Sequence, residues 1–340
     1  LRNRLAYPDP TKDQEAPTQV RGVEPLKVIK SEFAGDLQMR ERFMAEVDHL
    51  RKVSSSRVAR FEEAGLHHDP PWLAVEYVPG PTLRRHVERV GPLPADLAAM
   101  LGAVLAEGLV AIHQVSLVHR DLKPANVIMT SRGPVIIDFG LAKLTDRGEH
   151  LTQTGVAVGT LAYMPPEQLR GDRDLDGKAD VYALGATLVY ALTRHNIFRA
   201  DTWYALTQLI IDPDAHPDIS GVPASLAGII GSMLAYDPAE RPSAETVMNH
   251  LVAVINRSGE DATTVRKRLT ELTYVPPEIP LPSDVDDPER DPEDPYDFDT
   301  GPTELVPTPA APAPPPPQPD VDVAWLLADL RTRYGKGTDL

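Results

Sequence analysis

The chain has 340 residues, 42% of them apolar, with no cysteine, 35 prolines and a formal charge of −16. That apolar share supports a buried core and excludes a wholly disordered chain. The lack of cysteine excludes a disulfide framework, a thiol nucleophile and a cysteine-ligated zinc site, and fits a reducing, cytoplasmic location.

The first third mixes short β-type runs, PLKVIK, RVARFEEAG and PWLAVEYV, with one helical stretch after Asp36. In that stretch Phe43, Val47, Leu50 and Val53 recur at three- and four-residue steps, which places them on one buried face. From Pro94 the pattern changes to long helical runs at 95–116, 179–194, 201–211, 222–235 and 243–256, with the short apolar runs NVIMT and PVIID between the first two. Strands followed by helices predict two unlike lobes joined near VPGPTL, and such a junction is a favoured place for ligands. No internal repeat points to a solenoid.

No apolar run approaches the roughly 18–20 residues that cross a bilayer, and LRNRLAYPDP lacks the apolar core of a signal peptide, so the chain reads as soluble. Sixteen prolines and twelve Asp or Glu crowd into residues 275–320 beside the single Arg290, giving that stretch −11 and leaving about −5 for residues 1–274. This segment is expected to be a disordered or polyproline-like linker. The last stretch, VDVAWLLADLRTRY, recovers helical spacing and predicts a short amphipathic helix in 321–340. The acidic balance argues against a nucleic-acid partner, since phosphate binding needs clustered Lys and Arg.

The strongest chemical signal is His119-Arg120-Asp121-Leu122-Lys123-Pro124-Ala125-Asn126. It is followed by Asp138-Phe139-Gly140, then by Gly159-Thr160 and Met164-Pro165-Pro166-Glu167. In this order and at these separations the chain resembles the protein kinases, specifically the bacterial eukaryotic-like (Hanks-type) serine/threonine kinases. The resemblance implies an α+β fold of two lobes, transfer of the ATP γ-phosphate to Ser/Thr hydroxyls of protein substrates, and ATP with Mg²⁺ as cofactors. It assigns the catalytic carboxylate to Asp121, charge neutralisation to Lys123, and the metal-binding oxygens to Asn126 and Asp138. Lys123 and Thr160 carry the Ser/Thr signature. Hard cations prefer oxygen ligands, which suits these residue types.

The same resemblance makes Lys27 the strand lysine that meets the ATP phosphates and Glu46 the helix glutamate that pairs with it. Read alone, they are a strand-edge charge and an exposed helix face. Glu76 and Val78 fall where backbone groups bind adenine. Asp180 resembles the buried brace of the catalytic loop, and Arg241 the partner of Glu167. Because Arg120 precedes Asp121, an activation loop ordered by phosphorylation is implied, with Thr152 and Thr154 as the favoured sites and self-association as the route to autophosphorylation. Thr300 and Thr303 in the tail are candidate docking sites for a partner, against the simpler reading as solvated linker.

Two departures accompany the resemblance. Nothing in residues 1–26 matches the family's Gly-rich loop, Gly22 being the only glycine there, so that loop is expected before Leu1. Pro25 stands where the family has alanine, in a strand expected to be central in the sheet. The resulting division is 1–78 for an N-lobe truncated at its start, 79–260 for the helical lobe, 261–274 as a boundary segment, 275–320 as linker and 321–340 as the terminal helix. Two other classes of function stay open: a pseudokinase or truncated kinase acting as a signalling scaffold, and an adaptor working through its proline-rich tail.

Overall fold

The computed structural model describes residues 26–28, 37–66, 72–139, 158–172 and 174–276, without the side chains of 26–28, 37–42 and 158–159. The compact unit that contains them ends at Pro277, so the linker and terminal-helix expectations, with Thr300 and Thr303, lie outside the described residues.

The N-terminal part is a sheet and one helix. Strands β1 (Leu26–Val28), β2 (Phe61–Gly65) and β3 (Trp72–Val75) pair antiparallel in the order β1-β3-β2, with Lys27 opposite Leu73 and Phe61 opposite Val75. All four residues of β3 are buried, so this central strand reads as an uninterrupted apolar run. Among the described strands β1 pairs with β3 alone; Pro25 and the segment expected to flank β1 on its other side lie outside the described residues. Helix α1 (Leu37–Leu50) buries Phe43, Val47 and Leu50, the face that the periodicity marks. The turn after α1 ties this part to the helical lobe: Ala59 N–H donates to the Ile136 carbonyl at 2.9 Å, and Ile136 N–H donates to the Arg57 carbonyl at 2.8 Å.

Past the Pro79-Gly80-Pro81 joint, α2 (Leu83–Val90) starts at Thr82, whose hydroxyl accepts from the Arg85 amide. Gly80 is required there. Its φ is +146°, and a side chain would run into the Met129 carbonyl of the strand beneath.

Helix α3 (Ala95–Gln114) is the axis of the larger lobe, burying Leu97, Leu101, Leu105 and Leu109 at four-residue spacing. Each such side chain contributes roughly 1.5–3 kcal/mol by leaving water. Contrary to the expectation that no apolar stretch is long enough, α3 could cross a membrane by length and apolarity, yet most of it is buried inside the lobe. A Cβ at Gly102 would come within 2.6 Å of Leu251, so this mid-helix glycine permits a close helix crossing.

A hairpin of β4 (Val127–Thr130) and β5 (Gly133–Ile136) follows the loop after α3. Short helices α4 (Val158–Leu161) and α5 (Pro166–Arg170) precede α6 (Gly177–Thr193), which Asp176 caps. Every residue of α6 from Ala179 to Leu192 is buried, as an internal helix that is apolar all round should be. Helices α7 (Trp203–Ile211), α8 (Ala224–Met233) and α9 (Ala244–Arg257) complete the expected set, with α9 lying along α3. The segment read as a boundary is itself a helix, α10 (Ala262–Thr273). Asp261 caps it, and it buries Val265, Leu269 and Thr273 while packing on α3 and the β4–β5 hairpin.

Candidate active site

The site is built on the loop between α3 and β4. Here the chain must turn sharply, and Ser116 and Arg120 adopt φ values of 57° and 63°. Such left-handed conformations are costly for residues with a Cβ and persist only where the surroundings hold them. Asp180, fully buried on α6, supplies that hold. Its Oδ2 accepts from the His119 amide and from His113 Nε2, both at 2.8 Å, and its Oδ1 accepts from the Arg120 amide at 2.9 Å. Burial alone would raise the Asp180 carboxyl, but these bonds and the nearby imidazoles outweigh it and keep the group below the ordinary aspartate value.

Asp121 follows this clamp. Lys123 Nζ lies 3.0 Å from its Oδ2, and Asn126 Nδ2 donates both to that oxygen at 3.1 Å and to the Asp121 carbonyl at 2.8 Å. Residues at sequence offsets of two and five therefore converge on one carboxylate. They do so because Pro124 starts a 3₁₀ turn, Pro124–Asn126, that curls the chain back. The hairpin then returns the chain to the same place: Ile137 N–H donates to the Asn126 carbonyl at 2.9 Å, which sets Asp138 beside Asn126. Asp138 has φ of 69°, a region that Asp adopts more readily than most residues. Phe139 is buried with its ring centroid 5.1 Å from that of His119.

Glu46 and Arg120 meet across the two parts of the fold. Arg120 Nη1 donates to Glu46 Oε1 at 2.8 Å, with both side chains largely buried. Burial is the stronger influence on Glu46 and pushes its carboxyl up to about 7, against the charge and hydrogen bond of Arg120. The sequence associates Glu46 with Lys27 and Arg120 with a phosphate; here they are partners of each other. The side chain of Lys27 lies outside the described residues, as do Thr152 and Thr154.

Glu76 and Val78 occupy the extended segment between β3 and α2, where the Glu76 amide donates to the Arg60 carbonyl at 2.8 Å. Thr160 is half-buried on α4. Glu167 and Arg241 form a two-pronged pair at 2.6 and 3.0 Å. Arg241 also donates to the carbonyls of Ala235, Lys178 and Tyr236 and lies over the Tyr182 ring, so its buried charge is fully partnered. Two participants escaped the sequence reading. His113 braces Asp180 from the last turn of α3, and Gln168 Nε2 donates to the Arg120 carbonyl at 2.9 Å. Neither carries a motif; adjacency of Gln168 to Glu167 is the one hint.

Among the described residues no group of three His, Cys, Asp or Glu is placed to hold a metal ion. Asn126, bonded to Asp121, and Asp138, one residue past the Ile137 amide that bonds the Asn126 carbonyl, supply oxygen-bearing side chains of the type suited to a hard cation that is shared with substrate phosphates and water.

The protein kinase domain family matches residues 22–253. The serine/threonine-protein kinase AfsK of Streptomyces coelicolor is 39% identical over 236 residues, covering 69% of this chain and 29% of that protein. The probable serine/threonine-protein kinase PkwA of Thermomonospora curvata is 38% identical over 236 residues, 69% of this chain and 31% of its own length. PknB of Mycobacterium tuberculosis is 31% identical over 286 residues, 78% and 46% respectively. The chain thus spans under half the length of these curated relatives. A crystal structure of Rad53 residues 1–466 in complex with AMP-PNP superposes with a TM-score of 0.54 at 23% identity, covering 68% of this chain and 58% of that one, a likeness of fold. With Asp121, Asn126 and Asp138 assembled on this two-part scaffold, the chain belongs to the protein kinase domain family and stands among the bacterial serine/threonine-protein kinases.

Proposed function

We propose that this chain transfers the γ-phosphoryl group of ATP to Ser or Thr hydroxyls of protein substrates. The observation that carries this reading is the Asp121 carboxylate, held by Lys123 and by Asn126. Asp121 orients the attacking hydroxyl and takes its proton, as a general base must from hydrogen-bond distance. Lys123, paired with that carboxylate, is placed to balance charge on the group in transfer. Asn126 and Asp138 would hold Mg²⁺, which supplies neutralisation of phosphate charge when bound. Glu76 and Val78 would receive adenine and Lys27 the phosphates; the AMP-PNP in Rad53 supports a nucleotide in this fold.

The reading extends to autophosphorylation at Thr152 and Thr154 through transient self-association, with Arg120 as the phosphate's partner. It includes a cytoplasmic location, supported by the absence of cysteine, and a partner for the acidic tail. The test is transfer of labelled phosphate from ATP with Mg²⁺ to a protein acceptor. Wild type should be active and Asp121→Asn slower by about a hundredfold or more. Equal activity of the two proteins sinks the assignment, and Mg-ATP binding without transfer makes the chain a scaffold.

A further inference from the structure

The peptide bond entering Asp121 is gripped from both sides. Its carbonyl, that of Arg120, accepts from Gln168 Nε2 at 2.9 Å, and its N–H, that of Asp121, donates to His119 Nδ1 at 3.3 Å. The preceding peptide is held by Asp180 through the Arg120 amide. Arg120 itself has φ of 63°, so without these contacts the chain would relax toward a commoner conformation and swing the Asp121 side chain with it. Gln168 can serve as a fixed anchor because its neighbour Glu167 is pinned by Arg241 in a pair that is independent of the catalytic loop.

We propose that Gln168 is a positioning residue for Asp121, its side-chain amide fixing the Arg120–Asp121 peptide plane and so the aim of the carboxylate. The proposal rests on the reading of Asp121 as the catalytic carboxylate. It goes beyond that reading by coupling α5, the helix that closes the segment carrying Thr160 and Tyr163, to the catalytic loop through one side-chain hydrogen bond. A bond of this kind acts on the orientation of Asp121, whereas the backbone at Asn126 is held separately, by the Asn126 amide on the Lys123 carbonyl and by the Ile137 amide on the Asn126 carbonyl.

The test compares Gln168→Leu and Gln168→Glu with the wild-type chain. In Gln168→Leu the kcat should fall roughly three- to tenfold, the weight of one net hydrogen bond, with KM for ATP unchanged and the melting temperature lowered by no more than the loss of that one bond. In Gln168→Glu an ionised carboxylate repels the Arg120 carbonyl, so kcat should be lowest at alkaline pH and recover relative to Gln168→Leu on acidification, as the protonated acid regains a donor. A merely structural glutamine would not produce that profile. Independently of activity, the Asp121 amide should exchange its hydrogen faster in Gln168→Leu while amides of residues 235–241 stay unchanged. Unaltered exchange at Asp121, wild-type kcat in Gln168→Leu, or a loss that tracks melting temperature would each overturn the proposal. Failure of the Asp121 reading shows separately, as an Asp121→Asn variant that matches wild type.

Discussion

The ion pair between Arg120 and Glu46, 2.8 Å long and mostly shielded from water, joins the loop that carries Asp121 to helix α1 of the sheet lobe. It links two residues 74 positions apart whose motifs imply other partners for each. Glu46 carries an unfavourable burial that Arg120 offsets in part, and this mismatch is open to titration.

Glu46 has a value near 7 in the fold against an ordinary 4.5. Protonation therefore favours the folded state: the contribution is complete below 4.5 and is lost as pH rises through 7. The melting temperature of wild type relative to Glu46→Gln should decline between about pH 4.5 and about pH 7 and level off above that. A difference that is flat across this range would remove the buried carboxyl from the account.

Asp180 works in the opposite sense. Its carboxyl is held below the ordinary value, so its contribution is present above 3.8 and disappears as pH falls through the folded-state value. Asp180→Ala leaves two backbone N–H groups and His113 without their acceptor, a loss of about 3 kcal/mol or more. Urea denaturation at neutral pH should show that gap, and the gap should narrow on acidification.

Arg241 lies entirely out of water with Glu167 as its counter-charge. Arg241→Ala strands the glutamate and should cost about 3–5 kcal/mol. Replacing both partners by apolar residues of similar size should cost much less than that single change. Equal losses in the single and double variants, measured by the same denaturation, would argue against a buried-charge mechanism.

The helix after the family match has structural weight. Ending the chain at residue 260 removes α10 and with it the buried Val265 and Leu269. At roughly 1.5–3 kcal/mol for each buried side chain, the shortened protein should be less stable by about 3 kcal/mol or more. Identical melting of the shortened and full-length chains would make α10 an ornament on the lobe.

Much of the fold was legible because it rests on periodicity. Helices α1, α3, α6, α7, α8 and α9 carry repeating apolar positions long enough to read, and β3 is a bounded apolar run. Helix α2 escaped because LRRHVERV is mostly charged and only Leu83, His86 and Val87 turn inward. Helix α10 escaped because three buried residues in twelve leave little pattern. In the sequence Asp96, Glu107 and two glycines interrupt the apolar run of α3, although the helix buries almost every turn.

The site divides in the same way. Local order along the chain was enough to identify Asp121, Lys123, Asn126 and Asp138 as one chemical set, since Pro124 and the β4–β5 hairpin fold that stretch back on itself. Other contacts between distant segments were decided only in three dimensions: Arg120 with Glu46, His113 with Asp180, and Gln168 with the Arg120 carbonyl. A sequence specifies which groups are available and how near neighbours turn. Which buried charge meets which partner depends on how helices and strands pack, because a polar group out of water takes the partner that packing brings within hydrogen-bond reach.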